Sequence, residues 1–398
     1  MNNAYKIKNE LYWVGAIDWA LRDFHGYSTE KGSTYNAYIL KDEKVVLFDT
    51  VKAPFESEMM ERISSIVSPE KIDYIVINHV EMDHSGALPL VIDKIKPEKI
   101  ICSAKGKEAL LSHFKRNDWP YHVVKTGDVI NVGKRNITFL ETPMLHWPDS
   151  MFSYINGDNI LISSDAFGQH FATSERFDTQ VNLSDLMYQS AKYYANIILP
   201  YSNLVQKLLK TVSDMNIKIE MIAPDHGLIW TKHIPDILQA YSDWSLPKLK
   251  KKAVVFYDTM WKSTEKMAYS VTEGLMSKGI IVKMLKTGLE NNRSDVITEM
   301  LDAGAVVVGS STLNNEFLPT ISDMLTYMKG LKPAGRIGAA INSYGWNPGV
   351  LKKLNTELEA AGIKLISDGI NVKYVPEKSD LEKCFQLGVK IAQELNNK

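Results

Sequence analysis

The sequence predicts a two-domain protein of mixed α/β and α+β class, with the boundary near residue 250. Three observations carry this expectation. At 398 residues the chain exceeds one ordinary domain of about 150 residues. Its texture changes across Trp244–Lys252, within the stretch DWSLPKLKKK. Beyond that stretch, short apolar runs alternate with helical periods, the pattern of a doubly wound parallel sheet. The domains are therefore residues 1–249 and 250–398. With 45% hydrophobic and 23% charged residues, the chain can build a real core in each.

The first domain alternates strand-like runs with turns. In order they are NAYIL, KVVLFDT, YIVIN, KIICS, ITFLETP and NILISSD. The stretches FESEMMERISSIV and SGALPLVIDKI carry a helical apolar period between some of them. The second domain is more regular. AVVFY leads to a helix from about Thr264, IIVKML to one near Val296, and AVVVGS to one near Ile321. RIGAAIN then leads to a helix near Val350, and the run Ile363–Ile366 precedes a last helix from about Asp380. No internal repeat or low-complexity segment interrupts this order.

Composition excludes several function classes. A net charge of -1 gives no electrostatic footprint for nucleic acid or a membrane surface. The basic run Lys248–Lys252 reads as a solvated linker. The two cysteines, Cys102 and Cys384, are far apart and form no C-x-x-C, which excludes a disulfide scaffold, a Cys-ligated zinc and a protein-bound Fe–S cluster. The N-terminus shows no basic segment followed by an apolar core, so no signal peptide is expected. No apolar run approaches the ~20 residues of a membrane span. A cytoplasmic location is the expectation.

The stretch INHVEMDHSGALP places His79, Glu81, Asp83 and His84 in six positions after the apolar run Ile72–Ile77. On a loop leaving a strand, such spacing can aim several donors at one or two metals. A polar turn with a helix capped at Ser85 is the alternative; it would account for an isolated H-x-E, not for four donors together. Further donors recur at strand ends: His146 in TPMLHWPDS, Asp165 closing NILISSD, and His226 in IAPDHG. Each alone would be structural. Together they form the ordered ligand series that a two-metal site needs.

That series resembles the metallo-β-lactamase fold, a four-layer αββα sandwich with two metals at one edge. The usual version has a histidine where Glu81 stands. Glutamate there is the signature of the flavodiiron proteins, or A-type flavoproteins, whose second half is flavodoxin-like. The resemblance covers nearly the whole chain in the right domain order. It implies a metallo-β-lactamase-like diiron domain over 1–249 and a flavodoxin-like FMN-binding domain over 250–398. A carboxylate in place of an imidazole adds negative charge and a harder donor, which suits iron better than an all-histidine zinc pocket. The resemblance assigns one iron to His79, Glu81 and His146, and the other to Asp83 and His226. His84 lies close by, and Asp165 bridges the pair. It also implies that His25, Tyr193 and Tyr194 line the pocket, with His25 able to donate a hydrogen bond. A surface loop and packed aromatics are the alternative for these three. Asp49 in LFDT resembles a supporting aspartate behind the ligands. His113, His122, His170 and His233 receive no role.

In the second domain, VVFYDTMWKSTEKMA is a strand, a hydroxyl-containing loop and a helix start. Thr259, Met260, Trp261, Lys262, Ser263 and Thr264 surround the helix N-terminus, where N–H groups and the helix dipole favour an anion. Simple capping is the alternative. A flavodoxin holds the FMN phosphate with such a loop; no G-x-G-x-x-G is present, which argues against NAD. Two later strand ends join this edge. One holds Ser310, Ser311, Thr312, Leu313 and Asn314; the other holds Ser343, Tyr344, Gly345 and Trp346. Ligands of open α/β sheets bind beyond the carboxyl ends of the strands. Trp346 or Trp261 could cover a ring face.

The resemblance implies an oxidoreductase that reduces NO to N2O, O2 to water, or both. A hydrolase of the same fold with an accessory flavodoxin-like domain is the alternative, and a plain electron carrier is a second. Two ferrous ions and a reduced FMN hold four electrons, the number O2 needs. The family pairs subunits as a head-to-tail homodimer, with a dimer of dimers left open, and takes electrons from rubredoxin or a related reductase.

Overall fold

The structure, a computed structural model, describes residues 2–214, 217–246 and 248–397. The chain divides into two compact units. One comprises Met1–Phe24, Thr29–Tyr193 and Asn203–Ser242; the other comprises His25–Ser28, Tyr194–Ser202 and Asp243–Lys398.

The first unit holds two sheets. Strands β1 (Tyr5–Lys8), β2 (Leu11–Trp13), β3 (Tyr38–Lys41), β4 (Val45–Phe48), β5 (Tyr74–Val76), β6 (Lys99–Cys102) and β7 (Tyr121–Val123) lie side by side in that order. From β4 to β7 the pairing is parallel, so each step needs a crossover. The crossovers carry α1 (Glu56–Ser64), α2 (Met82–Ser85) with α3 (Leu88–Ile95), and α4 (Ala104–Phe114). The second sheet runs β8 (Val129–Asn131), β9 (Asn136–Glu141), β10 (Met151–Asn156), β11 (Ile160–Ile162) and β12 (Met221–Ala223). Its first four strands are antiparallel neighbours and β12 is parallel to β11.

Alternation along the strands builds the layers. Ile39, Leu47, Ile75 and Ile100 pack with Met59, Ile63, Val91 and Leu110 of the helices. Their neighbours Tyr38, Val46, Val76 and Ile101 pack instead with Ile137, Phe139, Ile155 and Ile160 of the second sheet. Phe152, Leu161 and Ile222 are also buried. After α5 (Leu183–Tyr193) and α6 (Ser202–Asp214) comes α7 (Ile234–Ser245), whose Tyr241 ring meets that of Phe167 at 4.5 Å. The unit is the four-layer αββα sandwich.

In the second unit, β13 (Lys250–Tyr257), β14 (Ile281–Lys286), β15 (Ala303–Leu313), β16 (Ile337–Tyr344) and β17 (Lys364–Leu365) form a parallel sheet in the order β14-β13-β15-β16-β17. A further strand, β18 (Ile370–Lys373), pairs with the carboxyl end of β16. This is the flavodoxin-like doubly wound order. Between the strands lie α8 (Ser263–Met276), α9 (Arg293–Met300), α10 (Pro319–Leu331) and α11 (Val350–Ala360), and α12 (Lys378–Asn396) follows.

Two expectations need correction. Lys248–Lys252 is not simply a linker, because β13 begins at Lys250. Lys252 is held by Glu299 and Asp302, each at 2.8 Å, so these charges are paired and the backbone joins the sheet. Pro247 lies outside the described residues. The run Ile363–Ile366 forms only the short β17, and β18 supplies the longer pairing at that edge. No described helix is long and apolar enough to cross a membrane.

Candidate functional site

The donors sit where strands end. β5 leads to His79, Glu81, Asp83 and His84; β9 leads to His146, β11 to Asp165 and β12 to His226. Glu81 stands at the N-cap position of α2 without a side-chain capping bond, and Asp83 and His84 lie within its single turn. That turn is pinned from both sides. Ser85 Oγ donates to the Val80 carbonyl at 2.7 Å, and the Thr50 N–H donates to the His84 carbonyl at 3.0 Å. Asp49, fully buried, accepts the Asn78 backbone N–H at 2.7 Å and the Asn78 side chain at 2.6 Å.

The side chains converge in two sets. His79 Nε2 is 3.4 Å from Glu81 Oε2, and His146 Nε2 is 3.1 Å from the same oxygen. Asp165 Oδ2 closes this set, 3.0 Å from His146 Nε2 and 3.5 Å from His79 Nε2. The other oxygen of Asp165 faces the second set, 3.2 Å from His84 Nε2 and 3.5 Å from His226 Nε2. Asp83 completes that set, with Oδ1 3.4 Å from His84 Nε2 and Oδ2 3.2 Å from His226 Nε2. Ligand atoms bound at about 2.1 Å to one metal stand about 3.0–3.4 Å apart in octahedral or tetrahedral arrangement. These spacings match that edge length, and Asp165 offers one oxygen to each set.

Hydrogen bonds behind the donors fix which nitrogen carries a proton. His226 Nδ1 donates to the Thr34 carbonyl at 2.6 Å, so Nε2 presents a lone pair to the second set. His79 Nδ1 donates to Asp149 Oδ2 at 3.0 Å, so its Nε2 presents a lone pair to the first. Both oxygens of Asp83 and Oδ1 of Asp165 are buried and accept no well-aligned hydrogen bond among the described residues. Lone pairs thus face carboxylate oxygens in a buried space, which costs free energy unless protons or a cation lie between them.

Electrostatics agrees. Burial alone would lower the His84 imidazole, but Asp83 and Asp165 outweigh it and push it up to about 10. His79 is also driven above its usual range, its burial outweighed by Asp149 and Glu81. Burial would raise the Glu81 carboxyl, yet His146 and His79 hold it down at about 2. A dication between the donors replaces these protons, so its binding releases them. The residues fit a pair of metal ions.

Tyr193 packs against this site, its ring 5.9 Å from His226 and 5.1 Å from His170. Tyr194, its neighbour, turns elsewhere. Its hydroxyl is 2.9 Å from Ser202 Oγ and its ring lies 5.3 Å from Trp244. Successive helical residues point about 100° apart, so two adjacent tyrosines do not share one pocket wall. His25 is exposed in the turn between the short strands Asp23–Phe24 and Tyr27–Ser28, with φ +55°. Three buried residues escaped sequence reasoning. Asp149 holds His79, Asp225 stands 4.0 Å from His84 Nδ1, and His170 lies 4.7 Å from the His226 ring. Asp149 and Asp225 each lie within three residues of a donor, in PDS and PDHG, a signal that was available. His170 had no such neighbour.

In the second unit, the ends of β13, β15, β16 and β18 surround a crevice of about 480 Å³. Met260, Trp261 and Ser263 form one wall, Ser311 and Thr312 a second, and Ser343, Tyr344, Gly345 and Trp346 a third. Tyr374 and Val375, after β18, form the fourth and were not foreseen. Trp261 and Trp346 are each 86% exposed, as uncovered ring faces awaiting a partner would be. Beneath them Thr264 Oγ1 is 3.0 Å from Ser311 Oγ and 2.9 Å from Ser343 Oγ, a buried hydroxyl triangle that ties the start of α8 to the ends of β15 and β16. Thr259, one residue before the first wall, has its Oγ1 buried without a hydrogen-bond partner among the described residues. These features and the N-terminus of α8 fit a flavin mononucleotide.

Thr259, Lys262, Thr264, Ser310, Leu313 and Asn314 do not line the crevice. Ser310 Oγ instead accepts the Leu318 N–H at 2.9 Å. Leu313 and Asn314 turn the chain back into the short strand Glu316–Phe317. Lys262 takes a left-handed conformation, φ +63°, before α8.

Residues 33–227 match a family model described as ODP family beta lactamase, and residues 255–388 match the flavodoxin model. The chain is 46% identical to a nitric oxide reductase of Moorella thermoacetica, over 99% of this chain and 100% of that protein. It is 44% identical to a rubredoxin-oxygen oxidoreductase of Megalodesulfovibrio gigas, over 99% of each. Among solved structures, the rubredoxin oxygen:oxidoreductase from Desulfovibrio gigas superposes with a TM-score of 0.97 at 43% identity, covering 99% of both chains. The flavodiiron protein from Giardia intestinalis gives 0.96 at 32% identity, covering 99% of this chain and 97% of that one. A metal-binding sandwich and a flavodoxin-like sheet in this order, with relatives alike over their whole length, have one reading: the chain belongs to the flavodiiron proteins.

Proposed function

We infer that this chain is an oxidoreductase that reduces O2 to water, NO to N2O, or both, at a non-haem diiron site fed through FMN. The observation that carries the reading is Asp165, which presents one oxygen to each of two donor sets, one of them containing Glu81. When bound, the irons and FMN supply the electrons, four for O2 with four protons, or two for a pair of NO molecules with two protons.

In this reading His79, Glu81 and His146 would hold one iron, and Asp83, His84 and His226 would hold the other. Asp165 spans both, and Asp49 fixes the backbone that carries His79. Four carboxyl groups, those of Glu81, Asp83, Asp165 and the outer Asp149, set the site's negative charge and favour iron over an all-imidazole zinc site. Tyr193 keeps its proton, because burial and the nearby Asp165, Asp83 and Glu81 push its phenol well above the usual range. It therefore acts as a hydrogen-bond donor, not as a base. His25 is the proposed proton donor from the solvent side. In the domain spanning 250–398, Trp261, Trp346 and Tyr374 would hold the flavin rings, and Ser263, Ser311 and Ser343 would hold its polar edge or phosphate.

The two domains are taken as 1–249 and 250–398. A head-to-tail homodimer in the cytoplasm, reduced by rubredoxin or a related reductase, completes the proposal. The relatives named as rubredoxin-oxygen oxidoreductase and nitric oxide reductase support that donor and those substrates. The test uses the full chain loaded with iron and FMN, reduced anaerobically and given O2 or NO under a gas electrode. Gas consumption with about two irons and one FMN per chain is expected. A zinc-loaded, colourless protein that hydrolyses esters would overturn the reading.

A further inference from the structure

His226 is set in its place by a second histidine. Its ring is enclosed by His170 at 4.7 Å, Tyr193 at 5.9 Å, Tyr35 at 6.0 Å and Phe24 at 6.4 Å. Three of these contacts are apolar packing. The fourth is wired. His170 Nδ1 lies 2.7 Å from Ser33 Oγ, and the same oxygen lies 3.3 Å from His226 Nδ1. Ser33 is fully buried and His170 is 1% exposed, so bulk water does not compete for either. Loop 33–36 also ties to the His226 loop through backbone. The Asn36 N–H donates to the Asp225 carbonyl at 2.7 Å, and the Gly227 N–H donates to Thr34 Oγ1 at 2.6 Å.

The hydroxyl of Ser33 has one proton and two lone pairs. If it donates to His170 Nδ1, both lone pairs remain for the His226 N–H. If it donates to the Thr34 carbonyl, 3.2 Å away, one lone pair takes the His170 N–H and the other still faces His226. In either arrangement Ser33 Oγ is a second acceptor for the His226 Nδ1 proton, beside the Thr34 carbonyl.

We propose that Ser33 and His170 are a positioning pair for His226, fixing the tautomer and ring plane that aim its Nε2 at the second metal position. The proposal rests on the diiron reading and adds to it an outer support for one iron and not the other. The first position has a different support, the Asp149 carboxylate on His79. Partners of this kind weaken metal binding about 10–100-fold when removed. The loss should therefore fall on one of the two metals.

The test loads the full chain with Fe(II) under argon and follows release to a chromogenic ferrous chelator. Wild type should hold two irons that leave slowly. Ser33→Ala and His170→Phe should release one iron at least about tenfold faster and leave the other at the wild-type rate. His170→Asn places an amide near the position of Nδ1 and should recover most of the lost retention. Circular dichroism melts and FMN content identify any variant that fails to fold; if His170→Phe fails, Ser33→Ala decides. Wild-type release of both irons from Ser33→Ala, or equal loosening of both, overturns the proposal. A wild-type chain that takes up no iron overturns the diiron reading itself.

Discussion

Two side chains divide the labour at the metal site. Glu81 is where this chain departs from an all-imidazole pocket, and it touches both histidines of its set. Glu81→His removes one negative charge and the harder donor, so the preference for iron over zinc should fall about tenfold in competitive metal loading. An unchanged ratio would mean that Glu81 does not select the metal. Asp165 acts on both sets. Asp165→Asn replaces one carboxylate oxygen by an amide nitrogen that carries hydrogens and cannot bind a metal as the oxygen does. Iron content should drop from two to about one per chain or fewer, and gas consumption by at least about 100-fold, with FMN retained. Iron analysis beside flavin absorbance checks this. Both residues could be read from the sequence, because Glu81 shares a short motif with three other donors and Asp165 closes an apolar run. His170 could not. It follows no strand, and only the fold brings residue 170 against residues 33 and 226.

At the scale of elements, strand ends organise both halves. Near-continuous apolar runs in β3 to β6 announce strands buried on both faces, so the loop after β5 was legible as a carrier of donors. In the rear half the same rule found three of the four crevice walls. The fourth was missed because β18 is short and only partly buried, so the run after it did not read as a strand end. The residues that tie the crevice together also have protein partners. Thr264 and Ser310 are hydroxyls at strand or helix ends, as predicted, but they face inward to other protein groups. Gly309 makes that closure possible. A Cβ there would stand 2.9 Å from Thr264 Cγ2, 2.9 Å from Tyr257 Cβ and 3.2 Å from Ile341 Cγ1. Gly309→Val should push the start of α8 off the sheet and open the hydroxyl triangle. We expect a loss of about 1–3 kcal/mol in stability and at least about tenfold weaker FMN binding, read by urea titration and by flavin fluorescence. Binding equal to wild type would show that α8 need not sit so close to the sheet for the cofactor to be held.

At the scale of the whole molecule, two cores of different construction are joined in one chain, and among the described residues the clusters of donors that could hold a metal lie in the first. This makes the response to chelation asymmetric. A metal that binds only the folded state stabilises it by mass action, about 2.7 kcal/mol at a hundred times its dissociation constant. Removing iron should lower the melting temperature of the first unit and leave the FMN-dependent transition of the second unchanged. The gap should also depend on pH, with a definite sign. After chelation, the imidazolium of His84 is held by Asp83 and Asp165, which push it up to about 10 from the ordinary 6.5. A raised value in the folded state contributes stability that is fully present below the ordinary value and is lost as pH rises through the folded one. The stripped protein therefore weakens between about pH 6.5 and 10. The iron-loaded protein moves the other way, because protons compete less for its ligands as pH rises. Calorimetry of chelated and iron-loaded chains should show a narrow gap near pH ~6 and a wide one near pH ~9. A gap that narrows toward alkaline pH would mean that the buried histidines do not carry protons when the metal is removed, and that the convergence of carboxylates around them is not what makes the site bind a cation.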